Sequence, residues 1–363
     1  MIKNILAAIS WLSLSTALNA ANDTSVPEPA FEQFTTNNSG QRLDIYSATD
    51  TRAIAPVIEA FERLHPSIDI HYNEYESTTL YQAVTTGELR DSDVILSSAM
   101  DLQIKLVNDG YAQPLSVPEA ESLPTWAHWR NEAYGFTFEP VVFAYNKAAF
   151  SADDPVPSSH ENLVNALRNE PERYYRRVGS YDVRLSGTGY FFATQDTVVS
   201  SVSGRMLESL ARANSRTYCC TSSMLDDLAS GKLILAYNLL GSYALARSRT
   251  DDRIGVIMPE DYTLVMSRIA LVPKWTDSFE AAQAFVRFLV SPHGQQIIAN
   301  SSNLIALRGE ASGTSSIKAI SENKQLRFHP IKIGLPIMAF QDQMKRERFI
   351  REWTQLFDSE SRD

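Results

Sequence analysis

From Arg42 onward the chain alternates short apolar runs with stripes at helical spacing, and this alternation constrains the fold more than any other feature. Residues 42–47 (RLDIYS) read as a strand. Residues 52–64 carry Ile54, Val57, Ile58, Phe61 and Leu64, one apolar stripe on a helix. Thr49, Asp50 and Thr51 stand just ahead of it with side chains suited to a helix start, and Pro66 ends it. Residues 68–75 read as a second strand, 79–86 as a short helix closed by Gly87, and 93–97 (DVILS) as a third strand. A helix over 101–108 then stops at Gly110. The third strand is nearly all apolar, as a strand covered on both faces is. A βαβαβ order of this kind predicts a parallel sheet with helices on both sides.

Two longer extended segments, 134–145 (YGFTFEPVVFAY) and 263–272, bracket the middle of the chain. Between them the pattern predicts helices near 161–169, 190–197, 204–213 and 223–228, with strands at 233–237 and 254–258. Beyond them, Phe279, Ala282, Phe285, Val286 and Leu289 form one stripe, and Pro292 opens a further helix through Ile298. Two crossings predict a second lobe inserted into the first. Lobe 1 would be built from 42–140 and 266–355, lobe 2 from 141–265, with a cleft between them. No period repeats along the chain, which excludes solenoids and propellers.

The first twenty residues, MIKNILAAISWLSLSTALNA, combine Lys3, an apolar run and a small residue at Ala20, the pattern of a cleaved secretory signal peptide. Residues 21–41, with Pro27, Pro29 and Gly40, read as a flexible leader. No later run reaches the length of a membrane span, so a soluble protein of the periplasm is expected. Acidic residues outnumber basic ones 43 to 33 in the 363-residue chain, for a net charge of −10. With neither a basic excess nor a basic stripe, nucleic acid is not an expected partner. Only two cysteines occur, Cys219 and Cys220. Adjacent thiolates chelate metal poorly. They form either a vicinal disulfide or two small buried thiols, and no catalysis is assigned to them.

Catalytic and cofactor motifs are missing. Ser242 in LLGSYAL lacks the glycine frame of a nucleophile elbow, and none of the six histidines pairs at the spacing of a zinc protease. No phosphate-binding loop of the G-x-x-x-x-G-K type exists. Gly187-Thr188-Gly189 starts a dinucleotide fingerprint that fails at Phe192. No catalytic residue, metal ligand or cofactor is expected.

What recurs is a strand that ends in a small-hydroxyl cluster opening a helix. Ser47-Ala48-Thr49-Asp50-Thr51 and Ser97-Ser98-Ala99-Met100 are two such places, Ser186-Gly187-Thr188-Gly189 and Gly241-Ser242-Tyr243 two more. Free N–H groups at a helix start, its dipole and hydroxyl donors suit an anion. Open α/β sheets bind ligands at the carboxyl ends of their strands. Plain helix capping is the competing explanation for each cluster.

LDIYSATDTRAIAPVIEAFERLHP, DVILSSAMDLQIKLVNDGYAQPL, EPVVFAYNKAAF, the SGTGY turn, LGSYAL and IALVPKWTDSFEAAQAFVRFLVSPHGQQIIA carry a resemblance over most of residues 42–310. The chain resembles the type 2 periplasmic solute-binding proteins of ABC transporters, in the ferric-iron-binding branch. It is similar to the phosphoglycerate transport regulatory-type binding proteins. The resemblance implies an α/β, two-lobed periplasmic binding protein type 2 fold. The second lobe is inserted into the first, and a two-strand hinge lets the lobes close on a small solute. Iron-binding members place a His soon after the first strand and use an adjacent Tyr pair. Here Ser47-Ala48-Thr49-Asp50 and Ser242-Tyr243-Ala244 stand instead, so direct iron ligation is not expected. Ser47, Thr49, Ser98, Ser186, Thr188, Gly189 and Tyr243 are the candidate ligand-binding residues, with Arg184 and Arg308 as candidate countercharges.

The expected function is capture of a small anionic organic solute, a phosphate or carboxylate, by a monomer that delivers it to an inner-membrane ABC permease. The alternatives are a sensory binding protein that signals to a membrane histidine kinase and, more remotely, a secreted hydrolase.

Overall fold

The computed structural model describes residues 30–33, 40–321 and 326–359, so the expected signal peptide lies outside the described residues. The βαβαβ order appears where the sequence predicts it. β1 (Ala30–Gln33) precedes β2 (Gln41–Ser47), α1 (Thr51–Leu64), β3 (Ile68–Glu74), α2 (Ser77–Thr86), β4 (Val94–Ser97) and α3 (Met100–Asn108). β2 pairs in parallel with both β3 and β4. β1 lies inside the expected leader, yet it pairs antiparallel with β3 at the edge of the sheet. Along α1, Ile54, Val57, Ile58 and Phe61 are fully buried, whereas Leu64, the last member of the stripe, is exposed at the helix end. Each buried side chain of this kind stabilises the fold by roughly 1.5–3 kcal/mol.

β5 (His128–Trp129), β6 (Ala133–Gly135) and, much later, β13 (Ile269–Leu271) complete the first sheet, in the order β1-β3-β2-β4-β13-β6-β5. A second sheet holds β7 (Glu139–Asn146), β8 (Val178–Tyr181), β9 (Arg216–Tyr218), β10 (Leu235–Leu240), β11 (Ile254–Ile257), β12 (Thr263–Met266) and β14 (Phe328–Pro330). Its helices are α4 (His160–Asn169), α5 (Pro171–Tyr174), α6 (Gly187–Val199), α7 (Ser203–Arg212), α8 (Thr221–Ala229) and α9 (Gly241–Thr250). α10 (Phe279–Val290) and α11 (Pro292–Ser301) return to the first lobe, where Phe285 packs edge-on against Phe61 of α1. The molecule is thus a two-lobed α/β structure with one sheet per lobe.

Each expected extended segment is two strands joined by a crossing. The first crossing is Phe136-Thr137-Phe138, between β6 and β7. The second is Ser267-Arg268, between β12 and β13. The crossings bond to each other: Arg268 N–H donates to Thr137 Oγ1 at 2.9 Å, and Phe136 N–H to the Arg268 carbonyl at 3.0 Å. This is the two-strand hinge.

The last stretch of chain departs from the expected boundary of lobe 1. After the short α12 (Ile317–Ser321), β14 pairs with β12 in the second sheet. The chain then crosses α3, where Gln341 Nε2 donates to Asp101 Oδ2 at 2.5 Å. Burial pushes the Asp101 carboxyl up to about 6. α13 (Gln343–Ser359) ends on the second lobe, with Trp353 buried among Val183 and Tyr190. Residues 328–359 therefore strap both lobes rather than rejoining the first.

Candidate functional site

The strand ends and helix starts converge on a cleft of about 510 Å³ between the lobes. The turn after β2 contributes Asp50. The turn after β3 contributes Glu74, Glu76 and Ser77, and the turn after β4 contributes Ser98. The opposite wall is built from Ser186 and Thr188 at the start of α6, from Cys219 to Ser222 at the start of α8, and from Tyr243 in the first turn of α9.

Four of the seven candidate ligand-binding residues line this cleft: Ser98, Ser186, Thr188 and Tyr243. Ser98 and Thr188 share a hydrogen bond of 2.7 Å across the lobes. Ser186 caps α6, its hydroxyl accepting from Gly189 N–H at 3.1 Å. Tyr243 reaches the other lobe, donating to Asp50 Oδ1 at 2.9 Å and accepting from Asp50 N–H at 3.0 Å. Burial raises the Tyr243 hydroxyl well above the usual tyrosine range, so it acts as a neutral donor and acceptor.

The other three sit behind the cleft wall. Ser47 is fully buried at the end of β2, where its hydroxyl accepts from Thr49 N–H. Thr49 is equally buried and accepts from Arg268 Nη1 at 3.0 Å. Gly189 lines a separate cavity of about 20 Å³ behind α6. It is glycine for packing, since an added Cβ would lie 2.2 Å from Tyr181 Cβ. Gly187 is required by the lobe contact itself: its Cβ would meet Ser77 Oγ of α2 at 2.9 Å.

Neither expected countercharge reaches the cleft. Arg184 makes a two-pronged pair with Asp182 and lies over the Trp353 ring. Arg308 is buried among Glu310, Ser122 and the carbonyls of Glu119 and Val290, where it holds loops together. The arginine that matters is Arg268, in the second crossing. It and Glu139, the first residue of β7 directly after the first crossing, are both fully buried and joined at 3.0 Å. The guanidinium also bonds Thr49 of one lobe and stacks 4.9 Å from the centre of the Tyr243 ring of the other. One buried ion pair thus ties both hinge crossings to both cleft walls.

Sequence reasoning missed the acidic wall. Thr51 N–H and O–H both donate to Glu74 Oε2 at 2.7 Å, capping α1. Glu76 caps α2, accepting from Thr78 N–H at 2.6 Å, and accepts across the lobes from Gly187 N–H at 3.4 Å. The available signal was position: Glu74-Tyr75-Glu76-Ser77 is a strand end opening a helix, like the clusters that were singled out. Cys219 and Cys220 form a disulfide and occupy the same kind of place between β9 and α8.

Residues 57–325 match the family described as bacterial extracellular solute-binding protein. The chain belongs to that family. It is similar to the substrate-binding protein of an ABC transporter from Agrobacterium tumefaciens, at 31% identity and a TM-score of 0.84, covering 91% of this chain and 98% of that one. Its fold is also that of iron-bound HitA from Pseudomonas aeruginosa, at 18% identity, 88% and 99% coverage and a TM-score of 0.67. AfuA from Actinobacillus pleuropneumoniae, with fructose-6-phosphate bound, shares it at 15% identity, 88% and 99% coverage and a TM-score of 0.70. No curated protein sequence matches the chain. The protein is therefore a periplasmic solute-binding protein of an ABC transporter, a class that carries small molecules to a membrane permease and is not enzymatic. Among the described residues, no helix is long and apolar enough to cross a membrane.

Proposed function

We propose that this solute-binding protein takes a small organic solute with an acidic group, a phosphate or a carboxylate, and with hydroxyl or amine donors elsewhere. The observation that carries the reading is the unlike chemistry of the two cleft walls. The second-lobe wall presents two helix starts, α6 and α8, with Ser186, Thr188, Thr221 and Ser222 and no carboxylate among its lining residues. Helix dipole, backbone N–H groups and hydroxyls there suit an acidic head. The first-lobe wall presents Asp50, Glu74 and Glu76, which accept from hydroxyl or amine groups. A solute with an acid at one end and donors at the other satisfies both walls and favours the closed state.

The fructose-6-phosphate held by AfuA is a solute of this kind in the same fold. Ferric ion fits less well. The described residues contain no cluster of three His, Cys, Asp or Glu side chains suited to a metal. The start of α9 offers one tyrosine, with Ser242 and Ala244 on either side of it.

A thermal-shift series tests the proposal with glycerol 3-phosphate, glucose 6-phosphate, citrate, ferric citrate, spermidine and glucose. The expected result is saturable stabilisation by an acidic organic solute, amounting to about 2.7 kcal/mol when it is present at one hundred times its Kd. Stabilisation by spermidine or glucose alone, or by ferric citrate with none by citrate or the phosphates, overturns the reading.

A further inference from the structure

We infer that the Cys219–Cys220 disulfide is a solute-contacting part of the cleft, and that its oxidised state sets affinity by pinning the start of α8. The inference rests on the cleft being the solute site and extends it to a residue pair with no part in the acid-seat reading.

Three observations converge. First, both residues line the cleft, Cys219 exposed and Cys220 half-buried, so the pair forms part of the surface a solute meets. Second, Cys220 is the N-cap residue of α8 and makes no side-chain capping bond. The first turn of α8 is therefore held by other means. The Thr221 hydroxyl bonds the Tyr181 hydroxyl of the same wall, and the covalent ring through both sulfurs fixes the two residues before it. Third, this disulfide joins sequence neighbours. A cross-link stabilises a fold by restricting the unfolded chain, and that effect grows with the logarithm of the loop it closes. A link between neighbours closes the smallest loop available, so global stability gains least from it. What it restricts is local, namely the backbone that aims the N–H groups of α8 along the cleft wall.

Reduction releases that restriction. A dithiol such as dithiothreitol attacks one sulfur as a thiolate and expels the other, which takes up a proton. The second thiol of the reagent then closes its own ring, freeing the second cysteine thiol. Two electrons pass from reagent to protein, and one cyclic disulfide and two protein thiols result. The start of α8 must then be ordered at the moment of binding, which weakens affinity.

The test compares the full chain as oxidised protein, as dithiothreitol-reduced protein with both thiols counted by mass spectrometry, and as the Cys219→Ala/Cys220→Ala double variant, alanine offering no cap to α8. Glucose 6-phosphate and citrate are the titrants. Affinity is expected to fall about tenfold on reduction and equally in the double variant, with the melting temperature of the free protein within about 3 °C of the oxidised form. Hydrogen exchange in the first turn of α8 is expected to quicken while the rest of the second lobe keeps its protection. Unchanged affinity after complete thiol release overturns the inference. So does a large loss of melting temperature in the double variant, which would make the link a structural staple. Should the oxidised protein bind neither titrant, the exchange comparison decides this inference, and the thermal-shift series decides the acidic-solute reading separately. Faster exchange confined to the start of α8 upholds the pinning, and equal exchange ends it.

Discussion

The two walls of the cleft are built by the same device and finished in opposite ways. Each collects helix starts at the carboxyl ends of strands. On the first-lobe wall two of those starts are already filled by the protein's own carboxylates, Glu74 on α1 and Glu76 on α2. On the second-lobe wall α6 is capped by the neutral Ser186 and α8 by no side chain at all, while Glu139 accepts from Ser242 N–H only at the start of α9. A helix start is an anion seat only while no internal anion sits in it. The fold therefore supplies the seats, and the capping residue decides which of them a solute can use.

The comparison has meaning only if both walls are held to one frame, and Arg268 is that frame. Arg268→Met leaves the buried Glu139 without its cation and Thr49 without its donor. The expected loss is about 3–5 kcal/mol of unfolding free energy, measured by urea denaturation. Arg268→Met combined with Glu139→Leu removes both charges and should recover most of that loss, because an apolar pair can replace a buried ion pair at little cost. The double variant should nevertheless close poorly on solute, having lost the bond to Thr49. If the double variant is as unstable as the single one, the pair is not the coupling element and the walls are held by packing alone.

The next largest effect should come from making the second wall resemble the first. Ser186→Asp keeps a competent cap on α6, since aspartate caps as well as serine does. It also places a carboxylate where the acidic head would sit. Stability should hold, while affinity for the best acidic titrant of the thermal-shift series falls about a hundredfold by like-charge repulsion in a partly desolvated cleft. Calorimetric titration reads this directly. Retained affinity would move the acid seat off α6.

How far the sequence alone reaches follows the same division. The parallel strands and α1 were legible because a buried stripe recurs at fixed spacing. The hinge was legible only as length, because nothing in YGFTFEP marks Phe136-Thr137-Phe138 as the crossing. The closing strap was passed over although Phe349, Ile350, Trp353 and Phe357 fall at helical spacing. Their partners, Val183 and Tyr190, lie far back in the chain. Within the cleft, the hydroxyl clusters pointed to turns that line it, yet only Ser98, Ser186, Thr188 and Tyr243 of the seven residues face it. A serine behind a cleft wall and a serine on it have the same local sequence, so Ser47 and Ser186, both buried, could not be told apart before their place in the fold was known. Glu76 was missed because an acidic residue at a strand end reads as solvated surface, whereas here it is the cap.

Glu76 also gives the finest test of the difference between the walls. Its carboxylate spans the lobes, holding Thr78 N–H of α2 on one side and Gly187 N–H of α6 at 3.4 Å on the other. It thus competes for a donor that an acidic solute would use. Glu76→Gln keeps an acceptor oxygen for α2 but removes the charge, so the first wall keeps two of its three carboxylates and hardly changes in shape. Two roles for Glu76 predict opposite outcomes. If it acts as an internal competitor, affinity for glucose 6-phosphate rises severalfold, by about 1 kcal/mol. If its chief role is to accept hydroxyl donors from the solute, affinity for glucose 6-phosphate falls, while affinity for citrate, which has a single hydroxyl, changes less. The long 3.4 Å contact and the tight cap on Thr78 favour the first outcome. A fall for both titrants would show that the first wall, carboxylates included, carries the acid seat, and would reverse the comparison between the walls.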